Sequence, residues 1–358
     1  MSNGISGFVY LTVVQRVAFY GHFYLEIFIK IPTFATDLME CVMGKKRRKR
    51  PFQKDIVNHC YQRTADGGLI FYSYSDYLVW FTTICTVARR HKVTLLSMCP
   101  MPDHVHLTVV AVSRNELSDF MREYSSQFSQ EHNRVCHRKG QLFARPYGSA
   151  PKYGAKHART HLIYVGNNPV ERQLASRAED YRWTFLAYAV SDHPFSPKLV
   201  IRKARWPMKQ AVSEVRNQYQ AGKPLSYAQL QRLFKPLTPE ERQQLTDFII
   251  ATYNVLDYQT AISFFHSYED MLNAMHSSTG SEYDLNEVFI GKSDAHYAKM
   301  VATVMREVHP DDIHDILAYP PEKKREVWDI IRKYSYAMSE QIAKFLHLPY
   351  KFGPVDFP

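Results

Sequence analysis

Cysteine is scarce in this chain. Its 358 residues include five, Cys41, Cys60, Cys85, Cys99 and Cys136, an odd number with no CxxC pair among them. That excludes a disulfide framework and a cysteine zinc site, and it points to a reducing cytoplasm. Long apolar runs are missing too. The apolar stretch at residues 7–14 is soon interrupted by Arg16, His22, Glu26 and Lys30. It is too broken for a membrane span and lacks the basic lead-in of a signal peptide, so no membrane partner is expected. Acidic residues are outnumbered, 35 Asp and Glu against 45 Lys and Arg, leaving a net charge of +10. Such a balance favours a polyanion, nucleic acid ahead of an acidic membrane surface.

What the chain does have is a hairpin pattern around two histidines. Val93-Thr94-Leu95-Leu96-Ser97-Met98 is rich in β-branched and aliphatic residues, Pro102-Asp103 signals a turn, and a second apolar run follows through Val112. Two such runs read as a β-hairpin over residues 93–112. On the second strand His104 and His106 stand at i and i+2, so both imidazoles project from one face, their Cα atoms roughly 7 Å apart. Two neutral imidazoles so placed can converge on one metal ion. A bare His-x-His is equally the pattern of two half-exposed strand histidines.

The surrounding chain reads β-α-β-β-α-β. Residues 56–63 form a first strand, 65–68 a turn, and 69–72 continue extended. Ser75 or Asp76 caps a helix to about His91, and after the hairpin Ser113 or Asn115 caps another from Glu116 to about Asn133. Gly140-Gln141-Leu142-Phe143-Ala144-Arg145-Pro146-Tyr147 supplies a short final strand and turn. That order predicts an α+β, ferredoxin-like antiparallel sheet with helices on one face, His104 and His106 lying on a central strand and on the uncovered side. A further helix, residues 155–167, carries His161 and Tyr164, with Pro169 expected to stop it. Asn168 lies one turn beyond Tyr164. It suits the N-cap of a following helix, residues 170–178, and can equally serve as a ligand. With 24 tyrosines in the chain, no single tyrosine stands out on its own; Tyr153, Tyr147 and Tyr181 are the alternatives to Tyr164.

Taken together, Met101-Pro102-Asp103-His104-Val105-His106-Leu107, Gly140-Gln141-Leu142-Phe143, Tyr164-Val165-Gly166-Asn167-Asn168-Pro169-Val170 and Glu179-Asp180-Tyr181-Arg182-Trp183 resemble the single-tyrosine HUH transposases. The likeness is to the REP-associated, insertion-sequence (IS200-like) type, over residues 44–190. The family commonly has Asn where this chain has Asp103. The resemblance implies a transposase acting on single-stranded or hairpin DNA as endonuclease and strand transferase. Tyr164 would be the nucleophile, forming a 5′-phosphotyrosine and freeing a 3′-hydroxyl. His104 and His106 would hold a magnesium or manganese ion, with Asn168 a third, oxygen-donating ligand. Hard cations prefer oxygen ligands, and zinc also fits two imidazoles, so the ion's identity is implied by the family alone.

The expected organisation is a leader of uncertain role at 1–42, with Met43 a candidate functional start, a catalytic domain at 43–200 and an all-α domain at 201–358. The basic run from Lys45 to Arg50 would add phosphate affinity. From residue 211 onward the pattern is helix after helix, including a capping sequence at Thr238-Pro239-Glu240-Glu241 and a polar loop at 280–284. Residues 338–346 look like the first helix of a helix-turn-helix, though residues 349–354 lack a recognition-helix pattern. Accessory DNA binding is the leading role for this half. A homodimer is left open. Rival readings are a domesticated, non-catalytic DNA-binding protein and a replication initiator or relaxase with the same site, which the lack of a helicase motif does not support. A two-histidine phosphoesterase is a further rival; it would need a second His-x-Thr-like motif, for which only His276-Ser277-Ser278 offers itself.

Overall fold

The computed structural model describes residues 50–144, 147–277 and 293–349. All of them belong to the second of two units, 1–49 and 50–358. The proposed leader, basic residues 45–49, Arg145-Pro146, the loop at 280–284 and the tail after Pro349 lie outside the described residues.

Four strands form one antiparallel sheet in the order β2-β3-β1-β4. They are β1 (Val57–Arg63), β2 (Val93–Met101), β3 (His104–Ala111) and β4 (Gly148–Pro151). Helices α1 (Tyr74–Ala88) and α2 (Arg114–Val135) follow β1 and β3, which completes the β-α-β-β-α-β order. The caps are local. Ser73 opens α1, its N–H donating to Asp76 Oδ2 at 2.7 Å, and Ser113 Oγ accepts from Glu116 N–H at 3.1 Å to open α2.

Strand alternation divides the sheet into two chemically different faces. Cys60, Met98, Val105, Leu107 and Val109 point into a core with Leu78, Trp80, Phe81 and Ile84 of α1 and Phe120, Tyr124 and Phe128 of α2. A β-bulge at Leu95/Ser97 adds one residue to β2, and Ser97, Cys99 and Met101 then pair with Thr108, His106 and His104 on the opposite face. Helix α3 (Gly154–Glu171) covers that face, with Leu162 and Ile163 packed with Val57 and Leu96, and Tyr164 and Val165 packed with Cys99 and Met101.

Three local expectations are corrected. Residues 69–72 are irregular, because the Ile70 and Phe71 N–H groups both turn to the Pro102 carbonyl, at 2.7 and 3.1 Å. The final strand is Gly148–Pro151; the described residues of 140–147 form no strand, and Phe143 makes an isolated bridge to Thr64. Finally, α3 runs through Pro169 to Glu171, so Asn168 is an interior helical residue and no helix spans 170–178. Proline removes one N–H, but here it sits in the closing turn, where Arg172 N–H still reaches the Asn168 carbonyl at 3.0 Å.

The later helices are α4 (Trp206–Gln220), α5 (Tyr227–Phe234), α6 (Pro239–Tyr253), α7 (Tyr258–Ile262), α8 (Tyr268–Ser277), α9 (Ala295–Glu307), α10 (Pro321–Ser335) and α11 (Ser339–Phe345). Met208, Val215, Leu230, Leu245 and Ile249 of α4–α6 join the same core as the sheet and α1. Helices α9–α11 form another cluster, in which Met300, Ile331 and Phe345 close over Leu69 and Tyr72 from the loop between β1 and α1. No described helix is long and apolar enough to cross a membrane.

Candidate active site

Register decides which side chains share the face under α3. β1 pairs with β3 so that His59 opposes Thr108, Tyr61 opposes His106 and Arg63 opposes His104. Opposed residues of an antiparallel pair project together, so one strip of β1 and one of β3 line the same floor. Helix α3 supplies the roof, with His161, Tyr164 and Asn168 buried against it.

The predicted residues do come together. The hydroxyl of Tyr164 lies 3.4 Å from His106 Nε2, a long contact by hydrogen-bond standards, with the two rings nearly perpendicular. His104 and His106 are also edge to face, their centroids 4.8 Å apart. Asn168 is buried one turn after Tyr164, and its Nδ2 donates to the Tyr164 carbonyl at 2.9 Å. That fixes the amide through its nitrogen end and directs the carbonyl end elsewhere.

The alternative tyrosines stand apart from the histidines. Tyr153 is exposed at the start of α3, and Tyr147 meets Ser118 at 3.3 Å beneath the guanidinium of Arg50. Tyr181 donates to the Pro100 carbonyl at 3.3 Å and meets the Tyr77 hydroxyl. His276 is on α8 and contacts Glu179 at 3.0 Å, away from the histidine floor.

Each strand histidine is held from behind. Asp103 Oδ1 sits 2.6 Å from His104 Nδ1, and His59 Nε2 sits 2.9 Å from His106 Nδ1. An ionised carboxylate only accepts, so Nδ1 of His104 carries a proton, and in the neutral ring Nε2 keeps a lone pair. That Nε2 is buried and meets no hydrogen-bonding partner among the described residues. Such an orphan is costly unless a ligand completes it. Burial, reinforced by neighbouring histidines, pushes His59, His106 and His161 well below the usual imidazole range, which keeps their rings neutral. Burial opposes ionisation of Asp103, but His104 and then Lys344 hold its carboxyl well below the usual carboxylate range.

Sequence reasoning passed over four contributors. His59 has its signal in the alternation of β1, where His59, Tyr61 and Arg63 share the face opposite Cys60. Lys344 on α11 contacts Asp103 Oδ2. Asp294, at the start of α9, takes a backbone bond from its own N–H to the Arg172 carbonyl at 3.0 Å and lies 4.0 Å from the Arg172 guanidinium. Burial and then the charge of Asp103 push the Asp294 carboxyl up to about 6. No local pattern in the sequence announces Arg172, Asp294 or Lys344 as neighbours of residue 104.

The donor set can be tested against a divalent cation. Among the described residues, no group of three or more His, Cys, Asp or Glu side chains is arranged to hold one. The set on offer is different: two imidazoles, one with a buried Nε2 that meets no partner among the described residues and a carboxylate behind it, beside a side-chain amide. A carboxylate behind a ligating histidine is the usual way to fix its tautomer. These residues fit a divalent ion.

Comparison with known proteins gives a family match within the N-terminal half of the chain. Residues 39–168 match the model described as "Transposase IS200 like". A solved structure, "Structure of the REP associates tyrosine transposase bound to a REP hairpin", is similar over 40% of this chain and 84% of that one, at 17% identity and a TM-score of 0.35. No curated protein matches. Over residues 39–168 the chain is similar to the IS200-like transposases.

Proposed function

We propose that the protein nicks and rejoins single-stranded DNA at or near a hairpin, with Tyr164 as nucleophile. The observation that carries this reading is the Tyr164 hydroxyl placed 3.4 Å from His106 Nε2, beside His104, whose Nε2 is buried and unpaired among the described residues. His104 and His106 would hold a divalent cation, magnesium or manganese, with Asn168 as oxygen donor once its amide is turned toward the ion. When bound, that ion supplies Lewis acidity to a phosphoryl oxygen.

The chain's own residues account for the rest. Helix α3 fixes the Tyr164 ring through Cys99, Met101 and Val165, so the phenol meets a phosphodiester in one orientation. Tyr164 Oη forms the new bond to phosphorus while the bond from phosphorus to the 3′-oxygen breaks. In balance, the phenolic proton ends on the 3′-oxygen, leaving a 3′-hydroxyl and a 5′-phosphotyrosine. Phenol at pKa about 10 is a weak nucleophile near neutrality and burial disfavours its anion further, so the polar partner at its hydroxyl, His106 Nε2, matters. Attack by a 3′-hydroxyl on the phosphotyrosine reverses the same bonds, and rejoining requires no nucleotide triphosphate.

The test is incubation of labelled single-stranded hairpin DNA with the full chain and Mn²⁺ or Mg²⁺. A denaturant-resistant protein–DNA adduct, absent with chelator and absent in His106→Ala, supports the reading. Metal-dependent cleavage without an adduct would make water the attacker. Tight hairpin binding without cleavage would favour the non-catalytic binder.

A further inference from the structure

Helix α11 enters the site from the far end of the chain. Asp103 divides its carboxylate between two partners: Oδ1 faces His104 Nδ1 at 2.6 Å, and Oδ2 accepts from Lys344 Nζ, 241 residues away. Both side chains are largely buried, 14% exposed for Lys344 and 16% for Asp103. Helix α11 is itself firmly seated. Tyr72 OH donates to the Phe345 carbonyl at 2.7 Å, Gln341 Nε2 donates to the Ser293 carbonyl at 2.9 Å, and Ile342, Ala343 and Phe345 are buried.

We propose that Lys344 is a positioning residue of the catalytic site: by anchoring one oxygen of Asp103 it aims the other at His104 Nδ1. His104 Nε2, buried without a partner among the described residues, would thereby be kept available to the cation. This inference rests on the site assignment proposed above. A carboxylate anchored at one oxygen can still turn about its terminal torsion, which is broad and roughly two-fold. Anchoring both oxygens removes that freedom. Lys344 suits the role because its ammonium is a compact charge with rotatable donors, able to bond one oxygen without competing for the other. The consequence is that residues 103–168 do not make the complete site. The C-terminal helices complete it.

The experiment uses the full chain labelled with ¹⁵N at imidazole nitrogens, read by NMR for the His104 tautomer and by Mn²⁺ titration for affinity. Three single variants are compared with wild type. In Lys344→Met the His104 signal should move from the Nδ1-protonated form toward a mixture, and Mn²⁺ affinity should fall about tenfold or more. Lys344→Arg should restore most of both. Tyr72→Phe removes another contact of the same helix without touching Asp103, and it should leave tautomer and affinity near wild type. An unchanged tautomer and affinity in Lys344→Met overturns the proposal. So do equal losses in Lys344→Met and Tyr72→Phe, which would reduce the contact to helix docking. If Lys344→Met does not fold, Asp103→Asn with and without Lys344→Met replaces it. There the proposal predicts no additional loss from the second change, and additional loss overturns it. Wild-type protein that binds no Mn²⁺ and forms no adduct would remove the metal reading, while the tautomer would still decide the role of Lys344.

Discussion

His59 Nε2 lies 2.9 Å from His106 Nδ1, while Nε2 of the same His106 ring faces the Tyr164 hydroxyl. Two neutral imidazoles at that distance must share one proton. If His106 is to offer a lone pair at Nε2, its Nδ1–H donates to His59, and His59 carries its own proton on Nδ1. In that arrangement the β1 histidine sets the tautomer of the β3 histidine.

His59→Leu should weaken Mn²⁺ binding by about 10- to 100-fold. It should also lower stability by about 1–3 kcal/mol, the cost of a buried donor left without a partner. Isothermal titration and thermal melts read the two effects. Wild-type affinity in a folded His59→Leu protein would remove His59 from the site.

A second buried pair ties the short 3₁₀ turn Ile313–Ala318, between α9 and α10, to α1. His314 Nε2 lies 2.8 Å from Asp76 Oδ1, and both residues are fully enclosed. Burial opposes the charge on His314, but Asp76 and Asp312 prevail and push it up to about 10. Burial likewise opposes ionisation of Asp76, yet His314 lowers it to about 2. The histidine's contribution is complete below about 6.5, its unfolded value. It is lost as pH rises from there through about 10. The carboxylate's contribution is complete above about 3.9 and lost as pH falls further. Wild-type melting temperature should therefore decline between pH 7 and 10 through this pair. His314→Gln should be less stable by about 3–5 kcal/mol at pH 6.5, since it strands Asp76. Its melting temperature should also depend less on alkaline pH. An equally steep alkaline decline in His314→Gln would contradict this assignment.

Gly148 is the point where β4 accepts an aromatic ring. A Cβ placed there would stand 2.1 Å from Cε1 and Cζ of Tyr61, which lies on the site face opposite His106. Gly148→Ala should cost about 1 kcal/mol, the loss of the ring's seat on β4, since the Tyr61 ring is 39% exposed and can swing aside. In a Tyr61→Ala background the same change should cost almost nothing. A double-mutant cycle by chemical denaturation checks it, and additive losses would mean the ring is not what excludes the methyl group.

The parts of the fold that were legible are those written locally. Ser113 with Glu116 three residues on, the alternation in 104–111 and the helical spacing of Leu117, Phe120, Tyr124 and Phe128 each gave an element at the right place. Gly148-Ser149-Ala150-Pro151 was missed because none of its residues favours a strand; its pairing with β1 is imposed by tertiary contact. Pro169 misled for a related reason, since a proline near a helix end removes one bond that the closing turn can spare. At the site, the His104, His106 and Tyr164 pattern was readable, and the structure brings those residues together. His59 needed the β1–β3 register. Asp294 and Lys344 are neighbours of Asp103 and His104 only through long-range packing, which no local pattern encodes.

The measurement that bears most directly on the central claim is mass mapping of the protein–DNA adduct after trypsin and nuclease digestion. Cleavage after Arg159 and Arg172 releases residues 160–172, a peptide with one tyrosine. The account predicts a phosphonucleotide on Tyr164 in that peptide, and no adduct at all in Tyr164→Phe protein that still binds the hairpin. A nucleotide mapped to Tyr147, Tyr153 or Tyr181, or an adduct that survives Tyr164→Phe, would contradict it.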